Sequence, residues 1–190
     1  LMNIVKIINK EIIELKKILN DIDNKDLKVL DLLCEESKKA IKKNKILFCG
    51  NGGSAADAQH LATELVVKYK KKRKALPALA LTTDTSILTA VGNDYNFKNI
   101  FSRQIEAIGK RGDIIVLITT SGNSENLIEA AKMAKKKRIK VFCFSGNKGG
   151  KLKKFCKNQI VIKSKNTSLI QVAQIFLGQI FCNELEKKIS

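Results

Sequence analysis

The rhythm of apolar positions changes once along this chain. From residue 3 to residue 20, Ile4, Ile7, Ile8, Ile12, Leu15, Ile18 and Leu19 recur at steps of three and four, the spacing of one helix face. A second pattern of that period fills residues 27–43. Short unalternating runs then take over: ILFC at 46–49, ALAL at 78–81, IIVLI at 114–118, VFCF at 141–144 and IVI at 160–162. Runs of this length without polar alternation predict strands buried on both faces. Each is followed by turn residues and a helical stretch. The expected fold class is therefore α/β, a doubly wound, five-stranded parallel sheet with right-handed crossovers and two N-terminal helices. No Pro- or Ser-rich linker interrupts it, so residues 1–190 read as one domain, with an N-terminal helical segment at 1–43 and an α/β core at 44–190.

The last predicted helix, residues 167–187, differs from the others. Leu169, Ile170, Val172, Ile175, Phe176, Leu177, Ile180, Phe181 and Leu185 cover nearly its whole circumference. Such a helix must be buried on most sides. Together with the apolar first helix it predicts self-association. Gln171, Gln174 and Gln179 lie in the same helix, and buried amides need partners.

Composition narrows the class. A chain of 190 residues, 44% hydrophobic and 28% charged, is long enough for one substantial core. No apolar stretch reaches the roughly 18–20 residues that span a bilayer, and no signal-peptide pattern is seen. The expectation is a cytoplasmic protein without a membrane partner. Five cysteines, an odd number with no C-x-x-C, argue against a disulfide framework or a thiolate zinc site. Cys49 and Cys143 sit in apolar runs and are predicted core residues. The net charge of +18 raises the question of a polyanionic partner. The lysines are spread along the chain, however, and the densest runs, 70–74 and 135–140, carry no interleaved aromatics. Nucleic acid is not the expected partner; an anionic small molecule fits the charge at least as well.

The candidate chemistry lies at the strand-to-helix corners. In an open α/β sheet these corners sit at the carboxyl ends of the strands, where ligands bind. After the first strand come Gly50, Asn51, Gly52, Gly53 and Ser54. The glycines let backbone approach a ligand, and the helix that follows presents free N–H groups and a positive dipole end. After the third strand, Thr119, Thr120, Ser121 and Ser124 cluster around Gly122. Hydroxyls and N–H groups without a lysine suit a monophosphate. The alternative is that Ser121 or Ser124 merely caps its own helix; two such corners on adjacent strands favour a ligand. Neither is a nucleotide motif. Ala55 breaks G-x-G-x-x-G, and the Gly146 loop lacks one spacer and the closing Ser/Thr of a phosphate-binding loop of the Walker type. No nucleotide cofactor is expected. His60, the sole histidine, and Glu64 are four apart on one helix face. They read as a surface pair, as part of an incomplete metal site, or as a carboxylate placed to move a proton between neighbouring sugar carbons. The small residues Ala55, Ala56, Ala58 and Ala62 suggest a helix packed close to a neighbour.

The segments CGNGGSAADAQHLATEL, VGNDYNFKNIFSRQIEAIGKRGD and TTSGNSENLIEAAKMAKKKRIKV resemble the phosphoheptose isomerase family of the sugar isomerase (SIS) superfamily. The resemblance runs from about residue 40 to the end. It implies a flavodoxin-like sheet and a homotetramer with active sites between subunits. The implied reaction interconverts sedoheptulose 7-phosphate and an aldoheptose 7-phosphate on the way to lipopolysaccharide heptose. Carried over position by position, Asn51, Gly52, Gly53 and Ser54 match the first ligand loop, and Asn93 and Asp94 match substrate contacts. Thr119, Thr120, Ser121 and Ser124 match the phosphate loop, with Thr119 where serine is common. Glu64 matches the catalytic carboxylate, and His60, Glu64 and Gln171 match three positions of a zinc site.

One departure stands out. Eight residues after Gln171 the family carries a histidine that serves as second acid/base group and fourth metal ligand; this chain has Gln179. Gln174 replaces another histidine, and Ser168-Leu169 replaces an aspartate-arginine pair. An amide neither titrates usefully nor binds zinc as imidazole does. Besides the isomerase expectation, with catalytic positions at Glu64 and Gln179, the sequence therefore leaves two others open. One is a non-catalytic adaptor like the DnaA initiator-associating protein, and the other is a sugar-phosphate sensor.

Overall fold

The protein, described over residues 2–189 by a computed structural model, is a three-layer α/β sandwich. Its elements are α1 (Met2–Asn20), α2 (Asn24–Ala40), β1 (Ile46–Gly50), α3 (Gly53–Val66), β2 (Ala78–Ala80), α4 (Thr85–Asp94), α5 (Ser102–Ile108), β3 (Ile114–Ile118), α6 (Glu125–Lys136), β4 (Lys140–Gly146), β5 (Asn158–Ile162) and α7 (Thr167–Ile189). The strands pair in parallel in the order β2-β1-β3-β4-β5. That is the flavodoxin-like order, in which the chain reverses its direction of winding between β1 and β3.

All residues of β1 and β3 are buried, as unalternating apolar runs require. Their side chains divide by parity between two cores. Phe48, Val116, Phe142 and Phe144 face the layer that contains α2, α3 and α7. Leu47, Cys49, Leu117 and Cys143 face the layer with α5 and α6. The second helix begins three residues before its apolar pattern does, because a cap sets its start. The Asp23 carboxylate accepts the Lys25 and Asp26 N–H groups at 3.0 Å each, and the polar first turn carries no periodicity.

A buried carboxylate ties the entry of β3 to that of β1. Asp113 is fully buried and accepts from the N–H groups of Lys110 (2.8 Å) and Lys45 (3.1 Å), from the Asn44 amide (3.2 Å) and from the Lys45 ammonium (2.7 Å). Burial alone would push its pKa up; these donors outweigh it and hold the carboxyl below the usual carboxylate range. Asp113→Ala is expected to cost about 1–3 kcal/mol of stability, the penalty for stranding buried donors, read as a lower urea midpoint. Because the folded pKa lies below the unfolded one, this contribution is present in full above the unfolded pKa. It drains away as the pH falls through the folded pKa.

The apolar faces are not all covered within one chain. Ile4, Val5, Ile7, Ile8, Ile12 and Ile13 of α1 are exposed, and only Ile18 of that helix is buried. On α7, burial extends over the sheet-facing side, including Leu169, Ala173, Leu177 and Phe181, whereas Val172 and Phe176 remain about half exposed. The predicted burial on most sides is thus largely met within one chain, with a strip through Val172 and Phe176 left uncovered. All five cysteines are buried and unpaired, Cys49 and Cys143 in the strands where the apolar runs placed them.

Candidate functional site

The corners after β1 and β3 meet at the point where the winding reverses. There they enclose a cavity of about 220 Å³. The first corner contributes Asn51 and Ser54, the second Thr119, Thr120, Ser121 and Ser124, and α7 adds Thr167 and Gln171. Residues some 65 positions apart in sequence thus converge on one volume.

Two helix starts beside this cavity lack a capping side-chain bond. Gly52, the N-cap of α3, has φ +55° and supplies no capping side chain. Ser124 is the N-cap of α6, yet its hydroxyl makes no capping bond. The capping alternative is therefore not what occupies Ser124. Two hydroxyls do shape their own loop. Thr119 Oγ1 accepts the Gly122 N–H (3.2 Å) and Ser121 Oγ accepts the Asn123 N–H (3.1 Å). Gly122 has φ +68°, and a Cβ there would collide with the Gly149 carbonyl, so the loop after β3 is wedged against the loop after β4. The Ser54 and Ala55 N–H groups already bond the Asn51 and Gly52 carbonyls at 3.0 Å each, so the cavity's donors are mainly its hydroxyls, set beside two helix starts whose dipoles favour an anion.

Two residues that sequence reasoning passed over, Asn126 and Thr167, build this site together with Gln174. Asn126, buried at the start of α6, exchanges reciprocal amide bonds with Asn51 (2.8 and 2.9 Å) and so pins the two corners together. Thr167 closes the cavity from the first turn of α7. Gln174, anticipated as an amide in need of partners and as the replacement for a family histidine, donates to the Thr119 carbonyl at 2.8 Å, while its Oε1 has no partner among the described residues. Polarity inside an otherwise apolar helix was the available signal for Gln174. For Asn126 there was none, since the asparagine beside the Gly122 corner is Asn123.

The proton-transfer candidates lie further along the same helices. His60 Nε2 and Glu64 Oε1 are 3.0 Å apart, with side chains 46% and 20% exposed. Ser54, at the cavity, and Glu64 are separated by nearly three turns of α3, roughly 15 Å along its axis at about 1.5 Å per residue. α7 runs beside α3 in the same direction. The Gln171 amide lies so close over Gly53 that a Cβ there would collide with it, and Gly178 packs against Leu61. Gln171 therefore belongs to the cavity end, and half-buried Gln179, next to Gly178, to the end near His60. One chain does not bring Gln171 onto His60 and Glu64. One turn before His60, Asp57 is partly buried, and its Oδ2 has no partner among the described residues. Burial pushes its carboxyl up, with His60 opposing. Asn93 and Asp94 end α4, are exposed, and bond to each other at 2.8 Å; they do not line the cavity. A neighbouring hollow of about 330 Å³ is bordered by Asn51, Asn96, Phe97, Lys98 and Ser124.

Donors for a metal are sparse. Among the described residues no group of three His, Cys, Asp or Glu side chains converges. No described helix is long and apolar enough to cross a membrane.

Comparison with known proteins gives concordant matches. The SIS domain family profile matches residues 12–146. The chain is 52% identical over 145 residues to a phosphoheptose isomerase of Clostridium acetobutylicum, covering 76% of this chain and 74% of that protein. It is 49% identical over 160 residues to a phosphoheptose isomerase of Campylobacter jejuni, covering 84% of each. Among solved structures, the phosphoheptose isomerase of Neisseria gonorrhoeae superposes with a TM-score of 0.85 at 36% identity, over 98% of both chains. The Francisella tularensis enzyme gives 0.89 at 29% identity, again over 98% of both.

Proposed function

The chain belongs to the phosphoheptose isomerase family of SIS-domain proteins, and from that membership we propose that it interconverts sedoheptulose 7-phosphate and D-glycero-D-manno-heptose 7-phosphate. The observation that carries the reading is the cavity at the β1–β3 reversal, whose hydroxyls, beside two helix starts without capping side chains, suit a phosphate monoester. The 7-phosphate sits against Ser54, Thr120, Ser121 and Ser124. Glu64 removes a proton from C1 of the ketose, the electron pair forms the enediolate double bond between C1 and C2, and O2 takes the negative charge. Return of the proton to C2, with transfer of the hydroxyl proton from O1 to O2, gives the aldose. The Gln179 amide can donate a hydrogen bond to an oxyanion but cannot relay a proton, so in this chain the oxygen-to-oxygen transfer falls to water. Product heptose phosphate feeds lipopolysaccharide precursor synthesis in the cytoplasm.

A single chain separates the phosphate end from Glu64 by roughly 15 Å of helix. We therefore place the working site between copies, in a homotetramer, with the exposed His60–Glu64 face of one subunit set against the cavity of another. The uncovered isoleucines of α1 and the half-exposed Val172 and Phe176 support such packing. Zinc does not fit the residues present. One imidazole and one carboxylate are already hydrogen-bonded to each other, Gln171 is held over Gly53, and Gln179 is an amide. No step is assigned to a metal, and metal analysis of the purified protein is expected to find less than stoichiometric zinc.

The test is turnover of sedoheptulose 7-phosphate by the purified protein. Ser124→Ala should raise KM by about 10- to 100-fold with little change in kcat, the worth of a hydrogen bond to a charged group. Absence of turnover in the unvaried protein would remove the isomerase reading. Gln179 favours a second reading, binding without chemistry. Tight heptose phosphate binding with no turnover, and turnover gained in Gln179→His, would establish the sensor. Capture of the replication initiator would establish the adaptor.

A further inference from the structure

Behind the His60–Glu64 face lies a buried ion pair that the isomerase reading does not use. The Arg73 guanidinium, its side chain 10% exposed, donates through Nε to Glu186 Oε1 at 3.1 Å; the Glu186 side chain is 4% exposed. Its other nitrogens reach the end of α3. Nη2 donates to the Glu64 carbonyl and Nη1 to the Leu65 carbonyl, each at 2.8 Å, and Nη1 also donates to the Lys74 carbonyl at 3.1 Å. The last carbonyls of a helix have no partner within it, so Arg73 supplies what the final turn of α3 lacks. Glu186, near the end of α7, accepts the N–H groups of Tyr69 (3.1 Å), Lys70 and Lys71 (2.9 Å each). This folds the lysine-rich segment after α3 back onto α7.

We propose that Arg73 is a positioning residue for Glu64. A planar guanidinium with a fixed fork of donors joins the backbone of the carboxylate-bearing residue to the last helix, the one that carries Gln179. The turn that bears Glu64 is thereby held at a set rotation and height against α7. The Leu65 carbonyl also accepts the Leu76 N–H at 3.1 Å, but without the fork the Glu64 carbonyl itself must find water, its turn loosens, and the carboxylate drifts from the carbon it serves. A displacement of about 1 Å is enough to cost about 10²-fold in rate.

This inference rests on the isomerase reading, and its test has a readout that does not. His60 is the sole histidine, so protein labelled with ¹⁵N-histidine gives a single set of ring resonances, which reports the contact with Glu64. In Arg73→Lys, whose ammonium cannot span two carbonyls and a carboxylate, these resonances at fixed pH should move toward their positions in Glu64→Gln. The kcat should fall by about 10- to 100-fold with KM for sedoheptulose 7-phosphate unchanged. Glu186→Gln, an isosteric change that weakens the anchor, should shift both readouts the same way by less, and serves if Arg73→Lys does not fold. Ring resonances that stay in place in a folded variant overturn the proposal whatever the kinetics do, and so does an unchanged kcat. If the unvaried protein does not turn over, the isomerase reading falls, and the ring resonances alone decide the placement of Glu64.

Discussion

Glu64→Gln should lower kcat for sedoheptulose 7-phosphate by about 10²–10⁴-fold, the usual worth of a general acid/base group, while KM stays close to that of the unvaried protein. The two constants should separate because the proposed phosphate cavity, lined by Ser54, Thr120, Ser121 and Ser124, lies nearly three helical turns away from Glu64 in each chain. A substitution at the carboxylate removes an interaction made in the transition state and leaves ground-state binding in place. Glutamine keeps the shape of the side chain but not its charge, so the loss reports the missing base. Exchange of substrate hydrogen with solvent deuterium should vanish in parallel. Undiminished exchange in Glu64→Gln would assign the proton transfer to another group.

Glu186→Ala should be the most destabilising single change, costing about 3–5 kcal/mol, the range for stranding one member of a buried ion pair. For a chain of this length that corresponds to a fall in Tm on the order of 10 °C. The loss has two parts. The Arg73 guanidinium, 10% exposed, is left without its counter-charge, and the N–H groups of Tyr69, Lys70 and Lys71 lose their acceptor. Burial would push the Glu186 carboxyl up, but those N–H donors and Arg73 outweigh it and hold its pKa below the usual range. The sign matches that of Asp113: stability is present above the unfolded pKa and lost as the pH falls through the folded one. Acid unfolding that begins at a higher pH in the unvaried protein than in Glu186→Gln would not fit this account.

The centre of the sheet was readable from the sequence because β1 and β3 are buried on both faces; the edge strand β2 departs from that expectation, with Leu79 exposed. ILFC and IIVLI have no polar alternation to confuse them with amphipathic elements, and their boundaries agree with β1 and β3 to within one residue. Helix starts were less readable. The pattern for α2 began at its first apolar residue, whereas Asp23 starts the helix three residues earlier. In the site, the two corners were recognisable because glycine followed by hydroxyl residues at a strand end has a local cause. Long-range pairings leave no local mark. Nothing near Asn126 announces its bond to Asn51, 75 positions away, nor does the lysine-rich run announce Glu186, 113 positions beyond Arg73. The relation between Gln171 and Glu64 was also hidden, because it depends on α3 and α7 running side by side in the same direction.

The sealed thiols give this chain built-in reporters. Burial pushes Cys34 and Cys156 up to about 12 and the other three higher still, so alkylation in the folded state has neither thiolate nor access. Cys34 and Cys182 lie in one core, and Cys49, Cys143 and Cys156 in the other. Mapping labelled positions over time by mass spectrometry therefore times the opening of each layer separately: simultaneous labelling means one cooperative unit, and staggered labelling shows which face of the sheet lets go first.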